Sequence, residues 1–222
     1  MNQCAECGVY ACRTGKIEVA PQSCPMHTEG AIYGEAEQEY LSPGTREIAL
    51  NSALTESEGY CKWTRLEEIV VFAHRSGFDS LGLAFCLGLR KEAAEVVKIL
   101  KGAGFNVESV ACKTGAVPKE KLGVKDEEKV RPGQFEAMCN PICQAKLLNS
   151  AKTQLNILLG LCVGHDTLFL QHSKAPTTIL AVKDRVLAHN PLGAIYAGFY
   201  FSKRLAALKD RYDDRDETDR TS

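Results

Sequence analysis

Four of the chain's ten cysteines fall in its first 24 residues, as Cys4, Cys7, Cys12 and Cys24 in the spacing C-x2-C-x4-C-x11-C. Thiolates are strong ligands for zinc and for iron–sulfur clusters, and so short and polar a stretch has no core of its own to order it. The segment is expected to hold a metal. Two donor sets are open. All four cysteines make an all-thiolate site for [4Fe–4S] or for tetrahedral Zn2+. Alternatively, Cys24-Pro25-Met26-His27 supplies a C-x2-H pair that, joined to the C-x2-C, makes a Cys3His zinc site and leaves Cys12 over. The four-cysteine set is preferred, because an idle cysteine among four closely spaced ones would need its own explanation. Tetrahedral sulfur suits zinc and iron alike. C-x2-C-x4-C is not a standard ferredoxin spacing.

The later cysteines take their meaning from the elements that carry them. Thr64 can cap a helix through RLEEIVVFAHRS, with Glu67 as capping-box partner and Gly77 as its stop. SLGLAFCLGL then reads as a buried strand, RKEAAEVVKILKGAG as an amphipathic helix and NVESVAC as a second strand. Two strands joined by a helix of that length should lie parallel. After a polar excursion through Pro118 and Pro132, a helix starts near Asn140-Pro141, where proline is tolerated in the first turn. A third strand, QLNILLGLC, a short helix from Asp166, a fourth strand, TTILAVKD, and a last helix from Pro191 to about Leu208 complete the pattern. The fold expected is α/β, with a mainly parallel sheet of about four to five strands flanked by helices.

This places Cys86, Cys112 and Cys162 at strand C-termini, the edge where open α/β sheets bind ligands. Cys139 and Cys143 flank a helix start, where the dipole favours thiolate. These thiols converge on one crevice, or Cys86 and Cys162 are small apolar strand residues as free cysteines often are. His165, in the loop after Cys162, can ligate a metal, relay a proton or sit in a helix cap with help from Asp166. Arg90, Lys113 and Lys119 can hold an anionic small molecule from the same edge. Asp184-Arg185 and His189-Asn190-Pro191 follow the fourth strand and can close the crevice from the other side.

The organisation expected is a cysteine-rich metal-binding segment (1–30), a helical connector (31–62) with a break at Ser42-Pro43-Gly44, the α/β domain (63–208), and a charged, disordered tail (209–222). A net charge of −1 supplies no Lys/Arg excess for nucleic acid. The sequence has neither an apolar run of about 18 residues nor a basic start followed by an apolar stretch. The chain reads as cytoplasmic, with no membrane partner. In that compartment ten cysteines are better explained by ligation or redox chemistry than by structural disulfides.

The N-terminal C-x2-C-x4-C with its later CPM, LAFCLGLRKEA, RPGQFEAMCNPICQAKLLN, and above all LNILLGLCVGHDTLF followed by APTTILAVKDRVLAHNP resemble an uncharacterised cysteine-rich, predicted metal-binding family. It occurs in archaea and anaerobic bacteria and is described as a domain of unknown function. The resemblance covers all but the charged tail. It implies a metal site at Cys4, Cys7, Cys12 and Cys24, and marks Cys86, Cys112, Cys139 and Cys162 as family positions. Cys61, Cys143 and His27 depart from it, which weakens the Cys3His set. It carries over no reaction.

Two function classes follow. In the first, the chain is a redox or metallocofactor protein. Cys86, Cys112, Cys139 and Cys162 are ligands or reactive thiols, His165 is a proton donor or replacement ligand, and Arg90 and Lys113 hold an anionic substrate; a redox protein is the natural partner. In the second, it is a non-catalytic zinc-stabilised module that binds a small ligand or a protein. A thiol–disulfide enzyme ranks lower, since the C-x2-C pair lies away from any strand-to-helix junction.

Overall fold

The computed structural model describes residues 4–218, with side chains described to residue 208. The chain divides into two compact units, Met1–Thr64 and Arg65–Ser222.

The first unit is built from short turns and two longer helices, because it has few apolar residues to pay for regular layers. It contains α1 (Ala11–Thr14), α2 (Pro25–Thr28), α3 (Gly30–Glu39) and α4 (Pro43–Gly59). The break expected at Ser42-Pro43-Gly44 separates α3 from α4. Pro43 opens α4, where its missing N–H leaves no bond unmade.

The second unit alternates α5 (Arg65–Arg75), β1 (Ser80–Phe85), α6 (Arg90–Gly102), β2 (Asn106–Ala111), α7 (Pro141–Ser150), β3 (Leu155–Leu161), α8 (His165–His172), β4 (Thr177–Val182), α9 (Leu192–Tyr196) and α10 (Gly198–Thr218). Its four strands pair in parallel in the order β2-β1-β3-β4. β3 is buried at every residue, as a central strand with both faces covered must be. Gly77, at φ 65, stops α5: the Phe78 N–H reaches back to the Ala73 carbonyl at 3.0 Å.

Side-chain alternation sorts the sheet into two faces. Leu81, Leu83, Leu155, Ile157 and Leu159 pack with Ile69 and Ala73 of α5 and Ala93, Val96 and Leu100 of α6. Ala84, Leu158, Leu161 and Cys112 pack with Ala145 and Leu148 of α7 and Phe169 of α8. The result is a three-layer α/β/α arrangement, in which each large apolar side chain that is fully buried contributes about 1.5–3 kcal/mol.

Two expectations near the C-terminus change. The single helix expected from Pro191 is two, because the backbone leaves the helical region at Ala197 (φ −96, ψ 32) just before Gly198, a poor helix former. α10 then runs to Thr218, so the tail expected to be disordered is helical over its described part. Leu205, Ala206, Ala207 and Leu208 lead into it as strong helix formers. Residues 219–222 lie outside the described residues.

Candidate functional site

Chain direction reverses across the sheet between β1 and β3: from β1 the chain goes to β2 on one side and returns to β3 on the other. In parallel sheets that reversal opens a crevice beyond the strand C-termini. Cys86 follows β1 and Cys112 follows β2, each extending the ladder by one bond, Cys86 N–H to the Leu159 carbonyl at 3.0 Å and Cys112 N–H to the Phe85 carbonyl at 2.9 Å. Phe85 pairs with Ala111, so the next residues, Cys86 and Cys112, stand side by side. The period of two puts both on the face covered by α7 and α8. Cys139 joins them from the other edge of β2, where the Asn140 N–H donates to the Cys112 carbonyl at 2.7 Å. Three sulfurs from three separate segments thus form one row.

Cys112 stands in the middle, 2% exposed, with its thiol hydrogen-bonded to both Cys86 and Cys139. That bond is the main cause that brings Cys86 down to about 5, helped by the Gly88 N–H and the Lys183 ammonium. It likewise brings Cys139 down to about 5, with Lys113 and His165 adding their charge. Cys112 is pushed strongly upward by Cys139, Cys86 and burial, so the middle sulfur is the one that keeps a proton most strongly. The turn Leu87–Leu89 supplies backbone donors: the Leu87 N–H lies 3.3 Å from Cys112 Sγ, and the Gly88 N–H meets Cys86. Consecutive N–H groups of this kind form a nest for negative charge. Below the row, the buried Gln144 amide of α7 clamps both strand ends, donating to the carbonyls of Val110 at 2.7 Å and Phe85 at 3.3 Å.

Cys162, after β3, is reached by a different cation. Arg185 Nη2 donates to Cys162 Sγ at 3.2 Å, and that bond is the main cause that raises the guanidinium. The loop that presents Arg185 is fixed by Asp184, whose carboxylate accepts the N–H groups of Val186 and Leu187, and by the Asp184 N–H donating to His189 Nδ1 at 3.1 Å.

A crevice of about 600 Å³ opens in front of these groups, with Lys113, Cys139, Cys162, His165 and Arg185 in its wall. The opposite wall is the long excursion between β2 and α7, which includes Arg131, Val130 and Phe135. That stretch lacks strands, yet it is ordered by charge. The buried Lys129 ammonium meets Glu120 and Asp126, Lys119 pairs with Glu136, and Pro118 bridges Ala137. Long structured loops of this kind commonly serve a site.

Of the residues expected here, Cys86, Cys112 and Cys139 come together, and Cys162, His165 and Lys113 stand on the same crevice. Arg90 does not: it opens α6 as an exposed side chain and is absent from the crevice wall. Asp166 does not cap the next helix either. α8 starts one residue earlier, after Gly164, and Asp166 accepts its neighbour's N–H from Thr167 at 2.8 Å. Lys183 was not foreseen, although its position one residue past β4 was the available signal.

In the first unit, Cys4, Cys7 and Cys24 share a cavity of about 250 Å³, while Cys12 and His27 are exposed and outside its wall. The Cys7 thiol is lowered by the N–H groups of Tyr10, 3.5 Å away, and Val9. Tyr10 aims that N–H from a left-handed backbone at φ 48. All ten cysteines are free of disulfides. Among the described residues, no group of three or more His, Cys, Asp or Glu side chains is arranged to hold a metal ion.

Fold and crevice together define a doubly wound α/β protein that carries a cysteine trio at its switch point. The chain belongs to the family described as Protein of unknown function (DUF1847), which matches residues 24–180. It is similar to the Uncharacterized protein MJ0455 of Methanocaldococcus jannaschii, at 44% identity over 203 residues covering 91% of this chain and 98% of the relative. No solved structure matches it. The family span contains Cys24, Cys86, Cys112, Cys139 and Cys162, and begins beyond Cys4, Cys7 and Cys12.

Proposed function

We propose that this is a cytoplasmic protein with two sulfur sites: a metal site, zinc or iron–sulfur, on the N-terminal cysteines, and a thiol redox site in the crevice that acts on an anionic small molecule or a redox partner protein. The crevice reading is carried by one observation, the gathering of Cys86, Cys112 and Cys139 at one strand edge, where register sets the first two side by side and the third packs in from the next loop; their mutual hydrogen bonding lowers both Cys86 and Cys139. A thiolate is the reactive form of cysteine, and a neighbouring thiol is what closes a disulfide.

The metal reading draws support from donor chemistry. Three of the four expected ligands face one cavity, and the N–H groups at Cys7 stabilise a thiolate before any ion arrives. Cys12 would have to turn inward to complete a set of four.

A second reading keeps one observation of its own. Cys112 belongs to the apolar cluster under α7 and α8, with Cys86 and Cys139 packed against it, as a zinc-stabilised binding module without chemistry would use them.

One preparation tests both sites. Anaerobically purified chain should carry metal, with visible absorbance and acid-labile sulfide for a cluster or neither for zinc, and Cys7→Ser should lose it. A metal-free preparation would remove that half. Oxidation with diamide followed by disulfide mapping should find a bond within the trio. Three separately alkylatable thiols after oxidation would leave the packing reading.

A further inference from the structure

We propose that the crevice reduces a small anionic disulfide, with Cys139 as the entering nucleophile, Cys112 as the resolving thiol and Cys86 as the acceptor of the Cys112 proton. The assignment rests on the redox reading above and deepens it with an order and a substrate class.

The order follows from depth. Cys139 is in the crevice wall, Cys86 is not, and Cys112 lies buried in contact with both. Of the trio, Cys139 is thus the sulfur a reagent in the crevice meets first, the other wall sulfur, Cys162, being held by Arg185, and the sulfur able to reach the resulting bond is Cys112. Cys86 is the remaining sulfur in contact with Cys112, and the Lys183 ammonium lies against it.

The steps balance. The Cys139 thiolate attacks one sulfur of the substrate disulfide, the S–S bond breaks, and one substrate thiolate leaves. Cys112 passes its proton to the Cys86 thiolate and attacks Cys139 Sγ in the mixed disulfide, expelling the second substrate thiolate. The protein ends with a Cys112–Cys139 disulfide and a protonated Cys86. It has lost two electrons, which the substrate has gained as two thiolates.

The charge of the wall sets the substrate class. Lys119 and Glu136 neutralise each other, which leaves Lys113, Arg131 and Arg185 with no further carboxylate in the wall. Once Cys139 is consumed its own negative charge is gone, and these cations face the departing thiolate. Val130 and Phe135, 80% and 69% exposed on the loop, offer an apolar surface to the body of such a molecule. About 600 Å³ is the size of a small-molecule site.

The test uses the reduced full chain and two probes: dithiobis-nitrobenzoate, an anionic aromatic disulfide, and cystamine, a cationic one. With the anionic probe limiting, early quenching and peptide mapping should place the first bond on Cys139. The final product should be Cys112–Cys139, with two thionitrobenzoates released per chain that reacts. Relative to the same two probes reacting with the neutral thiol mercaptoethanol, which removes the difference in leaving group, the chain should favour the anionic probe over cystamine by a further factor of at least about ten at low salt, with the preference narrowing as salt rises. Cys112→Ser should stop after one release with the probe retained on Cys139, and Cys86→Ser should slow the second release while sparing the first. Mapping and the rate ratio are read on the unaltered chain, so they decide the matter even if Cys112→Ser misfolds. A first bond on another sulfur, a final Cys86–Cys112 bond, or no preference for the anionic probe beyond that of mercaptoethanol would overturn this inference while leaving a redox trio intact. No disulfide within the trio from any probe would overturn the redox reading itself.

Discussion

At the scale of single residues, the crevice is governed by one proton. The two flanking sulfurs, which share its one proton, and then burial keep the Cys112 thiol protonated. The same hydrogen bond is the largest influence lowering Cys139. Replacing Cys112 with Ala should therefore move the Cys139 thiol upward from about 5 toward its ordinary range. In sign, the thiolate fraction of Cys139 in the native chain is full near neutral pH and falls only as pH drops through about 5. In Cys112→Ala the fall begins at higher pH, so alkylation of Cys139 should slow most near neutrality and converge with the native rate in alkali. The rate of iodoacetamide labelling at Cys139, followed by mass spectrometry across pH, reads this directly. An unchanged profile would show that Lys113 and His165 hold the thiolate without help. The residues of this trio were legible as two cysteines at strand ends and one before a helix start that could share a crevice. Their contact was not, because it depends on the register of β1 with β2 and on where the long excursion returns.

At the scale of elements, the apolar runs announced the strands, but two irregular features decide the crevice. β3 is interrupted near its end, where its pairing with β4 shifts around Leu159 and Gly160 takes φ 66. A Cβ at Gly160 would lie 2.2 Å from Leu89 Cδ1, in a packed core position. Gly160→Ala thus combines left-handed strain with overpacking, and should lower stability by about 2–4 kcal/mol. Gly102→Ala, at a helical glycine with open space around it, should be neutral or stabilising by up to about 1 kcal/mol. Urea midpoints of the two variants separate these outcomes, and equal midpoints would mean that Leu89 yields at no cost. Glycine in a strand pattern is the sequence sign of such a bulge, but the apolar run LNILLGLC masks it. The excursion between β2 and α7 was read as merely polar. Its order comes from a buried lysine between two carboxylates, an arrangement that composition does not reveal, since the same charges suit a solvated loop equally well.

At the scale of the molecule, parallel strands were foreseeable from the helix lengths between them, whereas their order was not. Part of that order is written in Gly82, which pairs with Asn156 of β3. A Cβ there would stand 2.1 Å from the buried Asn156 Oδ1, so β1 leaves the gap that β3 fills. Asn156 in turn accepts from Thr153 Oγ1 and donates to Ser173 Oγ, each at 2.8 Å, tying both ends of β3's surroundings to that pairing. Every side chain of the two apolar clusters lies between Leu66 and Ala181. The second unit therefore has a core built from its own residues, whereas the first unit depends on turns and, on the reading above, on a metal. Chelation of the full chain should loosen the first unit alone. Limited proteolysis in chelator should then cut before residue 65 and leave a resistant fragment that still forms the disulfide within the trio, at a rate close to that of the intact chain. Intact mass and disulfide mapping of the digest give both readings at once. Cuts scattered through β1 to β4 would mean that the second unit needs the first to fold. A resistant fragment whose trio no longer closes would mean instead that the N-terminal cysteines take part in the chemistry of the crevice.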